Sequence, residues 1–114
     1  MSVYRSFLFA PGNHTRRVVK CLGLPTDAVI LALEDAVAVA EKPDTRALIV
    51  EALGQPRRSL GYVRVNAFDT PFCFGDVHEV VGPNLDGIVL PKVESAAQLI
   101  AVDWMIGQLE RDRG

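Results

Sequence analysis

The stretch that decides the fold is Leu31-Ala32-Leu33-Glu34-Asp35-Ala36-Val37, a short apolar run that ends abruptly in two carboxylates. Two later stretches repeat the pattern, Val63-Arg64-Val65-Asn66 and Gly87-Ile88-Val89-Leu90-Pro91-Lys92, and a fourth apolar run ends in Ala10-Pro11-Gly12-Asn13. Continuously apolar runs are typical of parallel strands buried on both faces. Polar groups at the carboxyl ends of such strands build the active site of a β/α barrel. The pattern therefore predicts βα units with polar chemistry at one edge of a parallel sheet.

The composition predicts one soluble domain that spans residues 1–114, since 49% of the chain is apolar. A net charge of -2, from 12 basic and 14 acidic residues, argues against nucleic acid and against a membrane surface as partners. The chain has no run of about 20 apolar residues that would span a membrane. Cys21 and Cys73 lack metal-ligand or CxxC spacing, so we expect reduced thiols in a cytoplasmic protein.

Four strand and helix pairs follow one another along the chain. Strands are predicted at residues 6–9, 28–33, 61–65 and 87–90, and helices at about 13–22, 43–53 and 76–81. A final helix begins after Ser95, which forms a predicted capping box with Gln98. The apolar stripe of this helix should pack against the sheet; its members are Leu99, Val102, Ile106 and Leu109.

This order predicts an α/β fold, the (β/α)8 TIM barrel, of which the chain supplies about the first four βα units. A complete barrel takes about 250 residues or a little less, so the length fits the amino-terminal half of one. We expect two open sheet edges and an uncovered inner face unless a partner or a carboxyl-terminal half covers them. The alternative is a four-stranded flavodoxin-like sheet, which would cover both faces unaided.

The strongest candidate site residue is Arg64. Alternation along the third strand places Tyr62, Arg64 and Asn66 on one face and leaves the intervening valines to face the helices. An inward arginine needs an anion, either a carboxylate or oxyanion of a substrate bound bidentately, or an internal salt bridge to Glu34 or a neighbouring carboxylate. Glu34 and Asp35 should point to opposite sides of their strand end, and we expect Glu34 to face the pocket.

Other polar groups lie at the same predicted edge. Asn66 either donates to a substrate oxygen or satisfies a loop carbonyl. Lys92 either contacts an anion at the mouth of the fourth strand or is an exposed loop lysine. The Pro11-Gly12 turn leads into a helix amino terminus that either cradles an anion or simply turns the chain.

Taken together and in this order, the strand ends resemble the citrate lyase β-subunit-like family, which includes malyl-CoA lyases and related CoA-thioester aldolases. The matching stretches are Arg5 to Gly12, Leu33 to Val37 with Lys42 downstream, Arg64-Val65-Asn66 with Thr70-Pro71, and Leu90 to Ser95. The resemblance covers nearly the whole chain.

The resemblance implies a TIM barrel that cleaves or forms a carbon–carbon bond beside a CoA thioester, with Mg²⁺ holding the hydroxy- or oxo-acid portion. It implies that Arg64 binds the substrate and stabilises the enolate oxygen that develops as the bond breaks. Glu34 and Asp35 would orient water or Arg64 from behind the metal's own ligands. The chain departs from the family pattern at Ala32, where an aspartate is common.

The resemblance assigns no direct metal ligand to residues 1–114, because the family's ligands are a glutamate after the fifth strand and an aspartate after the sixth. We therefore expect this chain alone to be inactive and to form a homo-oligomer or associate with a carboxyl-terminal half. One alternative function is a non-catalytic half-barrel that acts as scaffold or partner of an intact homologue. Another is a flavodoxin-like module that binds an anion at Gly12. The acyl group, and whether thioester hydrolysis follows cleavage, stay open.

Overall fold

Four parallel strands form one sheet in a computed structural model that describes residues 7–24, 26–33, 42–57 and 59–113, the side chain of residue 43 excepted. The strands are β1 (Phe7–Pro11), β2 (Ala28–Ala32), β3 (Leu60–Arg64) and β4 (Gly87–Val89). They lie in chain order, β1-β2-β3-β4, and every neighbouring pair is parallel. This is the order of a β/α barrel, as predicted. The flavodoxin-like alternative is wrong, because that order places β1 between β2 and β3.

One helix follows each strand. The helices are α1 (Thr15–Gly23), α2 (Lys42–Leu53), α3 (Cys73–Val80) and α4 (Ala96–Arg113). Most bounds agree with the predicted ones within two residues, but α3 begins three residues earlier than predicted. The backbone N–H of Asp76 already donates to the carbonyl of Phe72, so the first helical turn starts before the residue that the sequence pattern suggested.

All four helices pack on the same face of the sheet. Buried strand residues that alternate along β1, β2 and β3 share one core with the helices; they are Ala10, Val29, Leu31, Leu33, Val63 and Val65 on the strand side, and Val18, Leu22, Ile49, Ala52, Leu53, Cys73, Val77, Val80 and Val102 on the helix side. Burying each valine or leucine contributes about 1.5–3 kcal/mol of transfer free energy. The core is therefore one-sided, between a sheet and a single helix layer.

The opposite face of the sheet, which we call the open face, carries no helix among the described residues, although Ala28, Ile30 and Ala32 of β2 are buried there between their neighbours. The register aligns Phe9 with Ile30, Tyr62 and Gly87 in one row of that face. At its β1 side Phe7 is 47% exposed and Phe9 is 56% exposed. This face corresponds to the interior of a barrel, which side chains fill when the barrel closes.

Helix α4 covers β4 only partly. Val102 is buried, and Ile106 and Leu109 pack against the core, as predicted for the stripe. Leu99, in contrast, is 51% exposed. The predicted capping box is also shifted, because the side-chain oxygen of Gln98 accepts from the backbone N–H of Glu94 rather than from Ser95. No helix in the described ranges combines the length and the hydropathy needed to cross a membrane.

Gly12, immediately after β1, is required by packing. It is buried, and a Cβ atom built on it would lie 2.5 Å from Cδ1 of Ile49 and 2.9 Å from Cγ2 of Thr45. Both neighbours are themselves fully buried in the core, so they have little room to move. Any side chain at this position overpacks the contact between the β1 turn and α2.

We expect Gly12→Ala to lower the free energy of unfolding by about 1–3 kcal/mol, the usual cost of overpacking a core. Urea denaturation followed by circular dichroism measures it. Gly23→Ala is the matched control, since a Cβ there meets nothing within 4 Å. This control should stay within about 1 kcal/mol of the wild type because alanine favours the helix. Equal midpoints for the two variants would contradict the packing role of Gly12.

The thiol of Cys73 is buried at the start of α3, whereas Cys21 is half-buried on α1. Burial raises the pKa of the Cys73 thiol above its ordinary value, and the nearby Asp76 carboxylate raises it further. The folded protein therefore keeps the proton at a pH where the unfolded chain releases it. Stability linked to this group is present below the ordinary thiol pKa and is lost as the pH rises past it.

We expect the unfolding free energy to fall between pH 8 and pH 10, starting near the unfolded thiol pKa of about 8.5. In Cys73→Ala the same titration should be flatter, which denaturant unfolding at several pH values measures. Native-state alkylation followed by mass spectrometry gives an independent check, because the neutral buried thiol reacts slowly. Alkylation of Cys73 as fast as that of Cys21 would refute this assignment.

Candidate functional site

The carboxyl edge of the sheet brings several of the predicted residues together. The register aligns Pro11 of β1, Ala32 of β2, Arg64 of β3 and Val89 of β4 in one row on the open face. Arg64 is the cation in this row. Its guanidinium carbon lies 5.5 Å from the centroid of the Phe9 ring, within the range of a cation–π contact.

The orientation of Arg64 agrees with the alternation of β3. Val63 and Val65 are fully buried against the helix layer, whereas Arg64 is half-buried on the open face beside Tyr62. The Phe9 ring lies beside a planar guanidinium whose shape matches a carboxylate or an oxyanion. The arrangement fits the recognition of a carboxylate or an oxyanion above the carboxyl edge.

Asn66 does not share the position of Arg64, and that part of the sequence prediction is wrong. Strand β3 ends at Arg64, so the alternation does not extend two residues further. The Asn66 side chain is buried and turns towards the first turns of α2 and α3 instead. Its amide nitrogen donates to Oδ2 of Asp76 at 2.7 Å, and its amide oxygen accepts from Nζ of Lys42 at 2.7 Å.

Lys42, the first residue of α2, is a buried cation at this edge. Only 5% of it is exposed. Besides Asn66, its ammonium donates to the carbonyl of Leu33 at 2.7 Å and lies 5.6 Å from the centroid of the Phe72 ring. The lysine therefore connects the carboxyl ends of β2 and β3.

Asp76 on α3 completes the cluster. Its Oδ2 accepts the backbone N–H of Asn66 at 2.8 Å in addition to the amide, and its Oδ1 accepts from Nε of Arg46 at 2.8 Å. The guanidinium of Arg46 occupies the space above Gly75, where the nearest guanidinium atoms would lie 2.6–2.7 Å from a Cβ. A side chain at Gly75 would therefore require the guanidinium of Arg46 to shift.

The sequence prediction missed Asp76 and Arg46, although a signal for Asp76 was present. Cys73, Asp76, Val77 and Val80 have the spacing of one helix face, and all four are buried. An aspartate within an apolar stripe must be paired to remain buried. Arg46 carried no comparable signal, because its partner lies 30 residues further along the chain.

The Pro11-Gly12 turn has a structural function in the described chain. The backbone N–H of Gly12 donates to the carbonyl of Ala32 at 2.9 Å, and the carbonyl of Pro11 accepts from His14. That Gly12 N–H is thus already used between β1 and β2. Substrate binding by Pro11 and Gly12 stays a prediction, and so does the anion at Gly12.

Lys92 is exposed in the loop after β4, at the same edge of the sheet as Arg64. Its φ of 51° lies in the left-handed region, which residues other than glycine rarely adopt. Glu34 and Asp35, in contrast, lie outside the described residues, and their roles stay predictions. Among the residues that the structure does describe, no group of three or more His, Cys, Asp or Glu side chains could hold a metal ion.

The amino edge of the sheet contains an open concavity of about 670 Å³ beside an Arg57–Asp86 ion pair. Arg57 also donates to the carbonyls of Ser59 and Asn84, and Asp86 accepts the backbone N–H of Gly61 at 2.7 Å. The donors of Arg57 are thus used to hold loop ends. This cluster fixes the starts of β3 and β4, away from Arg64.

Comparison with known proteins identifies the family of the chain. Residues 5–114 match the family model described as HpcH/HpaI aldolase/citrate lyase. The chain is 36% identical to citrate lyase subunit beta of Leuconostoc mesenteroides subsp. cremoris, and 40% identical to L-malyl-CoA/beta-methylmalyl-CoA lyase of Cereibacter sphaeroides. Each match covers 96% of this chain, and 37% and 36% of the two relatives respectively.

The solved structures lead to the same fold. CitE from Mycobacterium tuberculosis, in complex with magnesium, acetoacetate and coenzyme A, superposes with a TM-score of 0.72 at 38% identity. The superposition covers 84% of this chain and 35% of that one. The chain thus spans well under half the length of the proteins it matches. It belongs to the HpcH/HpaI aldolase/citrate lyase family.

Proposed function

We propose that this chain supplies the substrate-binding carboxyl edge of a carbon–carbon lyase (aldolase) that acts on a 3-hydroxyacyl-CoA thioester such as citryl-CoA or malyl-CoA. The observation that carries the proposal is the position of Arg64, a half-buried arginine on the open sheet face at the carboxyl edge. Family membership and a relative that is an L-malyl-CoA/beta-methylmalyl-CoA lyase support the reaction class.

The chemistry explains why an arginine suits this position. In cleavage, the β-hydroxyl loses its proton and becomes a carbonyl as the carbon–carbon bond breaks. The electron pair of that bond moves onto the thioester, whose carbonyl becomes an enolate, and protonation of the enolate carbon yields the shorter acyl-CoA. A fixed guanidinium beside the enolate oxygen lowers the barrier because it is already oriented when the charge develops.

The other predicted residues have supporting roles in this proposal. Glu34 and Asp35 orient water or Arg64, Lys92 contacts an anionic group of the substrate, and Pro11 and Gly12 line the edge beside them. Asn66 acts by holding the strand ends rather than by direct contact, since its amide is engaged by Lys42 and Asp76.

We also propose that the activity requires Mg²⁺, as magnesium is present with substrate-like ligands in the CitE complex. The described residues of this chain do not form a metal-binding group. The roles assigned above do not depend on the position of the ion. The chemistry and the free cysteines are consistent with a cytoplasmic location.

The test is a chimera in which this chain replaces the matching 36% of the Cereibacter sphaeroides lyase. We expect the chimera to release acetyl-CoA from malyl-CoA in the presence of Mg²⁺. Arg64→Ala should lower kcat about 10²- to 10³-fold, the usual loss when an oxyanion-stabilising group is removed. Arg111→Ala, which removes an exposed arginine at the end of α4, is the matched control and should leave the rate unchanged. An Arg64→Ala chimera as active as the control would refute the assigned role.

The open face favours a second candidate, a scaffold or a partner of an intact homologue. Phe7 and Phe9 are half-exposed on that face, and Ile100 and Trp104 of α4 are 69% and 67% exposed. Monomeric proteins rarely leave large contiguous apolar patches uncovered. We therefore expect the 114-residue chain to associate, as a homo-oligomer or with a carboxyl-terminal half.

Sedimentation velocity over a range of concentrations tests this expectation. The wild-type chain should sediment as a species larger than 12.4 kDa, and Phe9→Ser should shift it towards the monomer because the open face becomes more polar. Val19→Ser, on the outer side of α1 and 58% exposed, is the matched control. A chain that stays monomeric throughout would argue against the scaffold.

A further inference from the structure

The buried carboxylate of Asp76 connects α3 to the carboxyl ends of two strands. We propose that Asp76 is a positioning residue, which holds the ends of β2 and β3 through Asn66 and Lys42 and thereby fixes the place of Arg64. Its two oxygens accept three hydrogen bonds, from the Asn66 backbone N–H, the Asn66 amide and Nε of Arg46. The residue is 0% exposed, so no water competes for these contacts.

The charge of Asp76 decides which way the Asn66 amide points. An ionised carboxylate only accepts hydrogen bonds, so the NH₂ group of Asn66 must face Asp76. The amide oxygen then faces the other way, and Lys42, which only donates, lies 2.7 Å from it. An anion on one side and a cation on the other thus fix a side chain that would otherwise have two equivalent orientations.

Hydrogen bonds through the backbone of Leu33 link Lys42 to Arg64. Lys42 donates to the carbonyl of Leu33, and the N–H of Leu33 donates to the carbonyl of Arg64 at 2.9 Å. Two residues beyond Arg64, the N–H of Asn66 is held by Asp76. The end of β3 is therefore fixed on both sides of Val65, and the end of β2 is fixed against it.

At the amino edge, the Arg57–Asp86 ion pair forms a simpler clamp, by which we mean an arginine and an aspartate that together hold the end of a strand. There Asp86 accepts one strand N–H, that of Gly61, and pairs with Arg57, and its side chain is one third exposed. Asp76 and Arg46 repeat this arrangement at the carboxyl edge but add two further buried side chains, Asn66 and Lys42, whose contacts extend to the end of β2. Buried ionic groups are a costly way to gain stability. The additional members are better explained by the position that they give to the strand ends.

Hydrogen exchange on the 114-residue chain tests the positioning itself. We expect Asp76→Asn to speed the exchange of the Asn66 and Leu33 amides by about tenfold or more, as loss of a charged hydrogen bond predicts. Asp86→Asn is the matched control, which should speed exchange at Gly61 and leave Leu33 unchanged. Faster exchange at Asn66 alone, or an equal response of Leu33 to both variants, would overturn the proposal.

A second variant covers the case in which Asp76→Asn does not fold. Arg46→Lys keeps the positive charge but removes the guanidinium that donates both to Oδ1 of Asp76 and to the carbonyl of Phe72. We expect Arg46→Lys to speed the exchange of the Leu33 amide as well, but by a smaller factor than Asp76→Asn. A Leu33 amide that exchanges at the wild-type rate in folded Arg46→Lys would overturn the proposal as well.

The catalytic consequence rests on the proposed function and is measured in the chimera. There Asp76→Asn should lower kcat about 10- to 100-fold with little change in KM, and in an Arg64→Ala background it should have no further effect. Additive losses would mean that Asp76 does not act through Arg64. A chimera that is inactive with both residues intact would refute the proposed function, whereas the exchange rates still decide the positioning.

Discussion

The rest of the structure depends on one constraint, which is that the helices cover only one face of the sheet. Because all four helices pack on the side of Val29, Leu31, Val63 and Val65, alternation along each strand decides which side chains are buried in the core and which reach the open face. A register shift of one residue would bury Arg64 among the valines and expose them instead. The position of Arg64 on the open face is therefore a consequence of core packing rather than of contacts around the guanidinium.

The local pattern of the sequence was sufficient for the elements, their order and the side of β3 on which Arg64 lies. These features depend on period-two alternation and on strand ends, and both can be recognised from a few consecutive residues. The face of Asn66 was not predictable in the same way, since β3 ends at Arg64 and the contacts of the side chain come from α2 and α3. Asp76 and Arg46 meet across 30 residues of chain, a distance at which a single sequence carries no pairing signal.

The two edges of the sheet have similar clamps and different surroundings. At the amino edge Arg57 and Asp86 hold loop ends beside a wide, open concavity. At the carboxyl edge the side chains of Arg46 and Asp76 are almost completely buried, and they lie beneath residues to which we assign substrate contacts. This division, with stability at one end of the strands and chemistry at the other, is the usual arrangement of β/α barrels. Under the proposed function, the same division holds within these four strands.

The space above Gly75 links Gly75 and its neighbour Asp76 to Arg46, which lies 30 residues before Asp76 in the chain. Arg46 reaches Asp76 only by crossing the place that a side chain at Gly75 would occupy. A larger residue there is compatible with the fold only if the arginine withdraws, and a withdrawn arginine leaves a buried carboxylate uncompensated. The volume of the side chain at position 75 and the ion pair of Asp76 are therefore coupled, so that the size of one residue sets the place of the charge beside it.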